Sequence, residues 1–154
     1  PEDFHAANTD VAIQYGAGDW PGLAAHKIVE EEIIAVISPT LLKGRDRADV
    51  HDHDRLQMRT RPAAWSEWLG HDAGTKQGGT QFENFTMMIE AVRSGLGVAV
   101  LPLMYVANDL AAGRLIAPFG QAVKSTNAYY LVYAETQANI QKIQVFTDWL
   151  LGRE

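Results

Sequence analysis

Over residues 82–102 the apolar positions change period. Phe85, Met88, Ile89, Val92 and Leu96 recur at the three- and four-residue spacing of one helix face, with Glu90 and Arg93 on the other side. Asn84 stands where an N-cap belongs, and Gly95 stands where a left-handed residue stops a helix. The helical period then disappears. Val98-Ala99-Val100-Leu101 is apolar without alternation, as in a strand covered on both faces, and Pro102 closes the run by removing a backbone donor. A second helix, glycine stop, short strand and proline follow over residues 103–119.

The rest of the chain extends this alternation. Residues 2–8 predict a short helix or turn, 11–15 a buried strand and 16–22 a loop. Residues 24–31 and 33–37 form one extended stretch broken by Glu30-Glu31-Glu32, an acidic run expected to be a solvated crossing between two lobes. Ser38 and Pro39 supply an N-cap and a first helical position. A charged surface loop is expected over 43–54, a strand over 56–59, a helix over 63–70 and a short strand over 80–82. A strand over 127–134 returns across the hinge. Ile140, Ile143, Phe146, Trp149 and Leu150 mark the apolar face of a closing helix. Strands alternating with helices predict an α/β fold with mainly parallel sheets. The expected lobes are 1–32 with 133–154, and 33–132.

Residues 82–102, with Leu110-Ala111-Ala112-Gly113-Arg114-Leu115 and Pro118-Phe119, resemble the effector-binding domain of LysR-type transcriptional regulators. Residues 10–22, from Asp10-Val11-Ala12-Ile13 to Trp20-Pro21-Gly22, and Ala128-Tyr129-Tyr130-Leu131-Val132-Tyr133 are similar to its branch of glycine-cleavage activators and β-lactamase regulators. The resemblance runs over nearly the whole chain, with the motifs in the family's order. It implies a two-lobed fold like that of type II periplasmic binding proteins, a small-molecule effector held between the lobes, a homo-oligomer and a cytoplasmic setting. It also implies contact with DNA only through a helix-turn-helix domain, which these residues do not contain. The pattern opens inside the family's domain, so the first lobe is expected to be incomplete.

Composition agrees with this reading. The 154 residues suffice for one domain or two small lobes, and 47% hydrophobic with 21% charged residues is ordinary globular usage. The chain has no Cys, which excludes disulfides, thiolate metal sites and Cys nucleophiles. A net charge of −6 gives no electrostatic footprint for a phosphate backbone, so DNA binding by this chain is not expected. No apolar run reaches the length of a membrane span.

Among motifs with possible chemistry, Gly16-Ala17-Gly18 follows a strand as in dinucleotide loops, but Pro21 stands where the third glycine would fall. His51-Asp52-His53-Asp54 offers metal ligands, yet neighbours on an extended chain point to opposite faces. An exposed polar loop accounts for it better, and no metal or cofactor is expected. Neither Ser38 nor Ser66 lies in a Gly-x-Ser-x-Gly elbow, and no acid–base pair is assembled. A binding cleft remains. The first candidate group is Glu83, Asn84, Phe85 and Thr86, where helix amides favour an anionic ligand group that Glu83 would oppose. The second is Thr60 and Arg61 after a strand, where a guanidinium can clamp a carboxylate. The resemblance adds Tyr129 and Asp3 as pocket positions. Strand alternation lets only one of Tyr129 and Tyr130 face the cleft. The competing classes are an extracytoplasmic solute-binding protein and a small α/β enzyme with its chemistry on residues 61–65.

Overall fold

The computed structural model describes residues 10–42, 49–71 and 79–152. The helix or turn expected over residues 2–8, the pocket position Asp3 and much of the charged loop after Leu42 lie outside them. Two long strands, β2 (Leu23–Ile37) and β6 (Val123–Ala134), each run from one compact unit into the other. The divisions fall between Glu31 and Glu32 and between Ser125 and Thr126.

The unit of residues 32–125 holds the second part of β2, then β5 (Val98–Pro102), β3 (Arg55–Met58) and β4 (Gln81–Phe82) in that spatial order. β3 pairs parallel with both β4 and β5, and β2 pairs antiparallel with β5. The sheet is therefore mixed, with β3 parallel to its two neighbours and β2 antiparallel to β5. The connections explain this. Helix α1 (Ala64–Leu69) crosses from β3 to β4 and helix α2 (Phe85–Arg93) from β4 to β5, whereas antiparallel neighbours need no crossover.

Both faces of this sheet are covered, as the unbroken apolar runs require. Ile34, Val36, Ala99 and Leu101 face Met88, Ile89 and Val92 of α2 and Val106 of α3 (Leu103–Ala111). Ile33, Ala35, Ile37, Val98 and Val100 alternate to the opposite face, against Trp65 of α1 and Val50. Trp65 Nε1 donates to the Leu56 carbonyl at 3.1 Å, so the indole is buried without a lost hydrogen bond. Leu96 departs from the expected stripe. The helix ends at Arg93, Gly95 turns at φ 77°, and Leu96 is left exposed beyond the last turn. Arg93 is exposed, as its side of the helix predicts, and it also carries an ion pair. Its Nη2 lies 2.6 Å from Oδ2 of buried Asp109, whose Oδ1 accepts from Arg114 Nε at 2.6 Å.

The other unit pairs β1 (Ala12–Gly16) antiparallel with β6, placing Tyr15 opposite Tyr129 and Ile13 opposite Leu131. The acidic run is continuous strand, and its central residue is not solvated. Glu31 is 2% exposed and accepts a 2.7 Å hydrogen bond from the Tyr15 hydroxyl, while Glu30 and Glu32 face solvent. Alternation along β2 turns one glutamate of the three inward, and a phenol supplies a hydrogen bond to it. Helix α4 (Gln141–Leu151) buries Ile143 and Thr147, but Phe146 and Trp149, expected on its core face, are exposed. No described helix is long and apolar enough to cross a membrane.

Candidate functional site

The carboxyl ends of β3, β4 and β5 share one end of a parallel array, where open α/β sheets offer ligand sites. After β3 the chain folds into a tight turn, Arg61 N donating to the Met58 carbonyl at 3.0 Å. After β4 it enters α2, and after β5 it passes directly into α3. Each of these junctions places polar or aromatic side chains at the same edge.

Asn84 caps α2 as its position predicts. Its backbone is extended, and Oδ1 accepts from Met87 N at 2.9 Å, satisfying one of the first-turn amides that a helix leaves without an internal partner. The side-chain oxygen therefore serves the helix with one of its two lone pairs, and the amide NH2 adds two donors at the helix start. Glu83 does not stand against the helix amides. Its Oε2 lies 2.7 Å from Arg59 Nη2 in an exposed ion pair that joins the β3 and β4 junctions, backed by Arg59 N donating to the Phe82 carbonyl at 3.0 Å. The repulsion expected between Glu83 and an anionic ligand is thereby reduced.

Arg61 is half-buried, with its guanidinium 5.3 Å from the centroid of the Phe85 ring. A cation over an aromatic face is held in place by the charge distribution of the ring. The Phe85 ring in turn lies 5.1 Å from that of Tyr105, in the first turn of α3. Thr60 and Thr86 are exposed beside these groups in the sequence. Thr60, Arg61, Glu83, Asn84, Phe85 and Thr86 thus belong to one end of one unit. Tyr105 was not expected there. The repetition of strand, proline and helix was the available signal, since it sets the start of α3 at the same sheet end as the start of α2.

Tyr129 lies in the other unit. It is half-buried, with its ring 5.1 Å from that of its cross-strand partner Tyr15. Tyr130, on the opposite face of β6, is engaged by the loop after β1. Its ring meets Trp20 edge-on at 5.6 Å, and its hydroxyl donates to the Ala17 carbonyl at 3.3 Å. Gly18 takes φ 91° directly under the Tyr130 ring, and Gly16 lies against Trp20. The 51–54 segment is tied into the fold: Asp49 Oδ1 accepts from His51 N, and His51 Nδ1 lies 2.8 Å from Arg55 Nη2. Among the described residues no group of His, Cys, Asp and Glu is arranged to hold a metal ion.

Comparison with known proteins agrees with this architecture. The family model of the LysR substrate binding domain matches residues 2–154. The chain belongs to that LysR family. The glycine cleavage system transcriptional activator of Escherichia coli K12 is 36% identical over 162 aligned positions, covering 99% of this chain and 52% of that protein. The HTH-type transcriptional activator AmpR of Rhodobacter capsulatus is 31% identical, covering 94% of this chain and 50% of its own length. The chain spans about half the length of the curated relatives it matches. Among solved structures, the effector domain of the transcriptional regulator AmpR of Pseudomonas aeruginosa superposes with a TM-score of 0.78 at 26% identity, over 97% of this chain and 74% of that one. The LysR domain described here thus has the two-lobed, periplasmic-binding-protein-like α/β fold, and its homologues are transcriptional regulators.

Proposed function

We propose that this LysR effector-binding domain senses a small polar ligand carrying a carboxylate, and acts by binding rather than by turnover. The observation that carries the reading is Arg61 held over Phe85 beside the capped start of α2, at the carboxyl ends of three parallel strands. The guanidinium takes the carboxylate, and the first-turn amides of α2 add donors. Thr60, Thr86 and the Asn84 NH2 offer further hydrogen bonds, and Phe85 with Tyr105 forms an aromatic wall. The family resemblance adds Tyr129, and Asp3 beyond the described residues, as further candidate contacts. Ligand binding shifts the population of domain conformers, and in a cytoplasmic homo-oligomer that shift reaches DNA through the helix-turn-helix domain of the parent regulator.

The test is calorimetric titration of the domain with a set of small carboxylic acids, each paired with its uncharged amide. At least one acid is expected to bind, and its amide at least tenfold more weakly. Arg61→Ala is expected to weaken that acid by about 1.5–3 kcal/mol, as for a lost hydrogen bond to a charged group, and Tyr129→Phe by about 1 kcal/mol. Unchanged affinity in Arg61→Ala would remove the site assignment, and product formed on incubation would replace the sensing role by an enzymatic one.

A further inference from the structure

Of the side chains named above at the carboxyl ends of β3, β4 and β5, Glu83 is the one acid, and a carboxylate there works against the ligand proposed. Its pairing follows from the register of the sheet. Met58 of β3 stands opposite Phe82 of β4, so Arg59 and Glu83 hold equivalent places, each one residue beyond the last registered pair. Arg59 N donates to the Phe82 carbonyl at 3.0 Å and carries the ladder one step further. The two side chains meet there, Nη2 and Oε2 lying 2.7 Å apart. Beyond the pair the two chains part. One turns through Thr60 to Arg61, and the other reaches Asn84 and the first turn of α2.

Both partners are largely exposed, Arg59 66% and Glu83 61%, and an ion pair in that setting contributes little to folding. Its consequence is electrostatic. A unit charge about 7 Å from an incoming anion changes the anion's local concentration by roughly threefold in water. With no cation beside it, Glu83 would oppose an anion at Arg61 and at the α2 amides by about that factor. With Arg59 in contact the two charges cancel at such distances.

We infer that Arg59 sets the charge preference of this site. Arg61 and the α2 amides hold the ligand carboxylate, and Arg59 acts through Glu83, leaving the site selective for anions over neutral molecules of the same shape. The inference rests on the carboxylate reading above and adds to it a residue that decides specificity without touching the ligand.

The chain has no Cys, so Thr86→Cys places a single thiol in the exposed first turn of α2, where its reactivity reports local charge. The readout is the ratio of its alkylation rate by iodoacetate, itself a small carboxylate, to that by the neutral iodoacetamide, at one pH and low salt. Thiolate concentration enters both rates equally and cancels. N-acetylcysteinamide supplies the reference ratio of a thiol with no charged neighbour. The Thr86→Cys protein is expected to exceed that reference by at least about twofold. Adding Arg59→Gln is expected to lower the protein's ratio by about threefold, and adding Arg59→Lys to preserve it. Arg59→Gln combined with Glu83→Gln is expected to restore it. These differences should collapse in about 1 M salt, where the Debye length is about 3 Å. An unchanged ratio in Arg59→Gln overturns the inference. So does a double variant as low as the single one, since Arg59 would then act by contacting the anion or by shaping the turn. A ratio no higher than the reference in Thr86→Cys alone would remove the carboxylate reading itself.

Discussion

Asp109 shows how much structure one buried carboxylate can organise. Arg93 from the end of α2 and Arg114 beyond the glycine stop of α3 both converge on it, and Arg93 also reaches Glu90. The hydrogen bond from Arg93 holds the Asp109 carboxyl below its ordinary range despite its burial, and Arg114 acts in the same direction. A folded-state value below the unfolded one means that the stabilisation is present above the usual carboxylate range. It is lost as the pH falls through the depressed value. We expect Asp109→Asn to cost about 2 kcal/mol at pH 7 in urea denaturation, as for lost hydrogen bonds to charged groups. That deficit should shrink steadily on acidification below about pH 4, because the parent protonates the same group. A deficit independent of pH would mean that the side chain acts through packing alone. None of this was legible in the sequence. Arg93 falls on the polar side of its helix, and its partner lies on another element. Periodicity separates faces but does not pair a charge on one helix with an acid on the next.

Elements were most legible where their signals were local. For α2, the cap, the stripe and the glycine stop all lie within a dozen consecutive positions, and Met88, Ile89 and Val92 are buried as the stripe requires. Ile89→Ala should cost about 2–5 kcal/mol through the cavity it leaves. Asn84→Ala should cost about 1 kcal/mol through the lost cap. Glu90→Ala, on the exposed side, should stay under about 0.5 kcal/mol. Equal losses for Ile89→Ala and Glu90→Ala would show that the buried face has been misplaced. The Asn84 value also bears on ligand studies. Because its side-chain oxygen serves the helix, weaker binding in Asn84→Ala counts as ligand contact only if the helix remains formed, which circular dichroism can check. Close backbone approach is the opposite case, hidden from sequence. A Cβ on Gly97 would meet the Asp54 carbonyl oxygen at 2.3 Å, beside the bond that Val98 N makes to that oxygen. Gly97→Ala must therefore open the β3–β5 entry. Gly113→Ala meets nothing within 4 Å and faces only its positive φ of 68°, so it should be much the milder change in thermal unfolding.

At the scale of the molecule, the sequence carried the alternation of elements and the family order of motifs, but not how strands pair. Apolar runs report that a strand is covered and are silent on its neighbours' direction, so the antiparallel pairing of β2 with β5 could not be read from them. Candidate residues adjacent to strand ends, such as Arg61 and Asn84, could be named by the same logic, whereas Tyr105 needed the knowledge that α2 and α3 start at one sheet end. Net charge is a property of the whole sequence, and it carries the last prediction. With 19 acidic against 13 basic Lys and Arg residues, this chain would have to approach a duplex against its own field. Of the six basic residues in residues 50–114, Arg59, Arg93 and Arg114 are each paired with a carboxylate. Arg55 and Arg61 lie against the aromatic rings of Trp65 and Phe85, and no described pair forms the open basic stripe that a groove requires. Fluorescence anisotropy with duplex DNA at low salt should therefore show at most weak binding that vanishes as salt rises. Sequence-selective binding by these 154 residues would place a DNA-reading surface within the effector domain itself and overturn the division of labour proposed for the parent regulator.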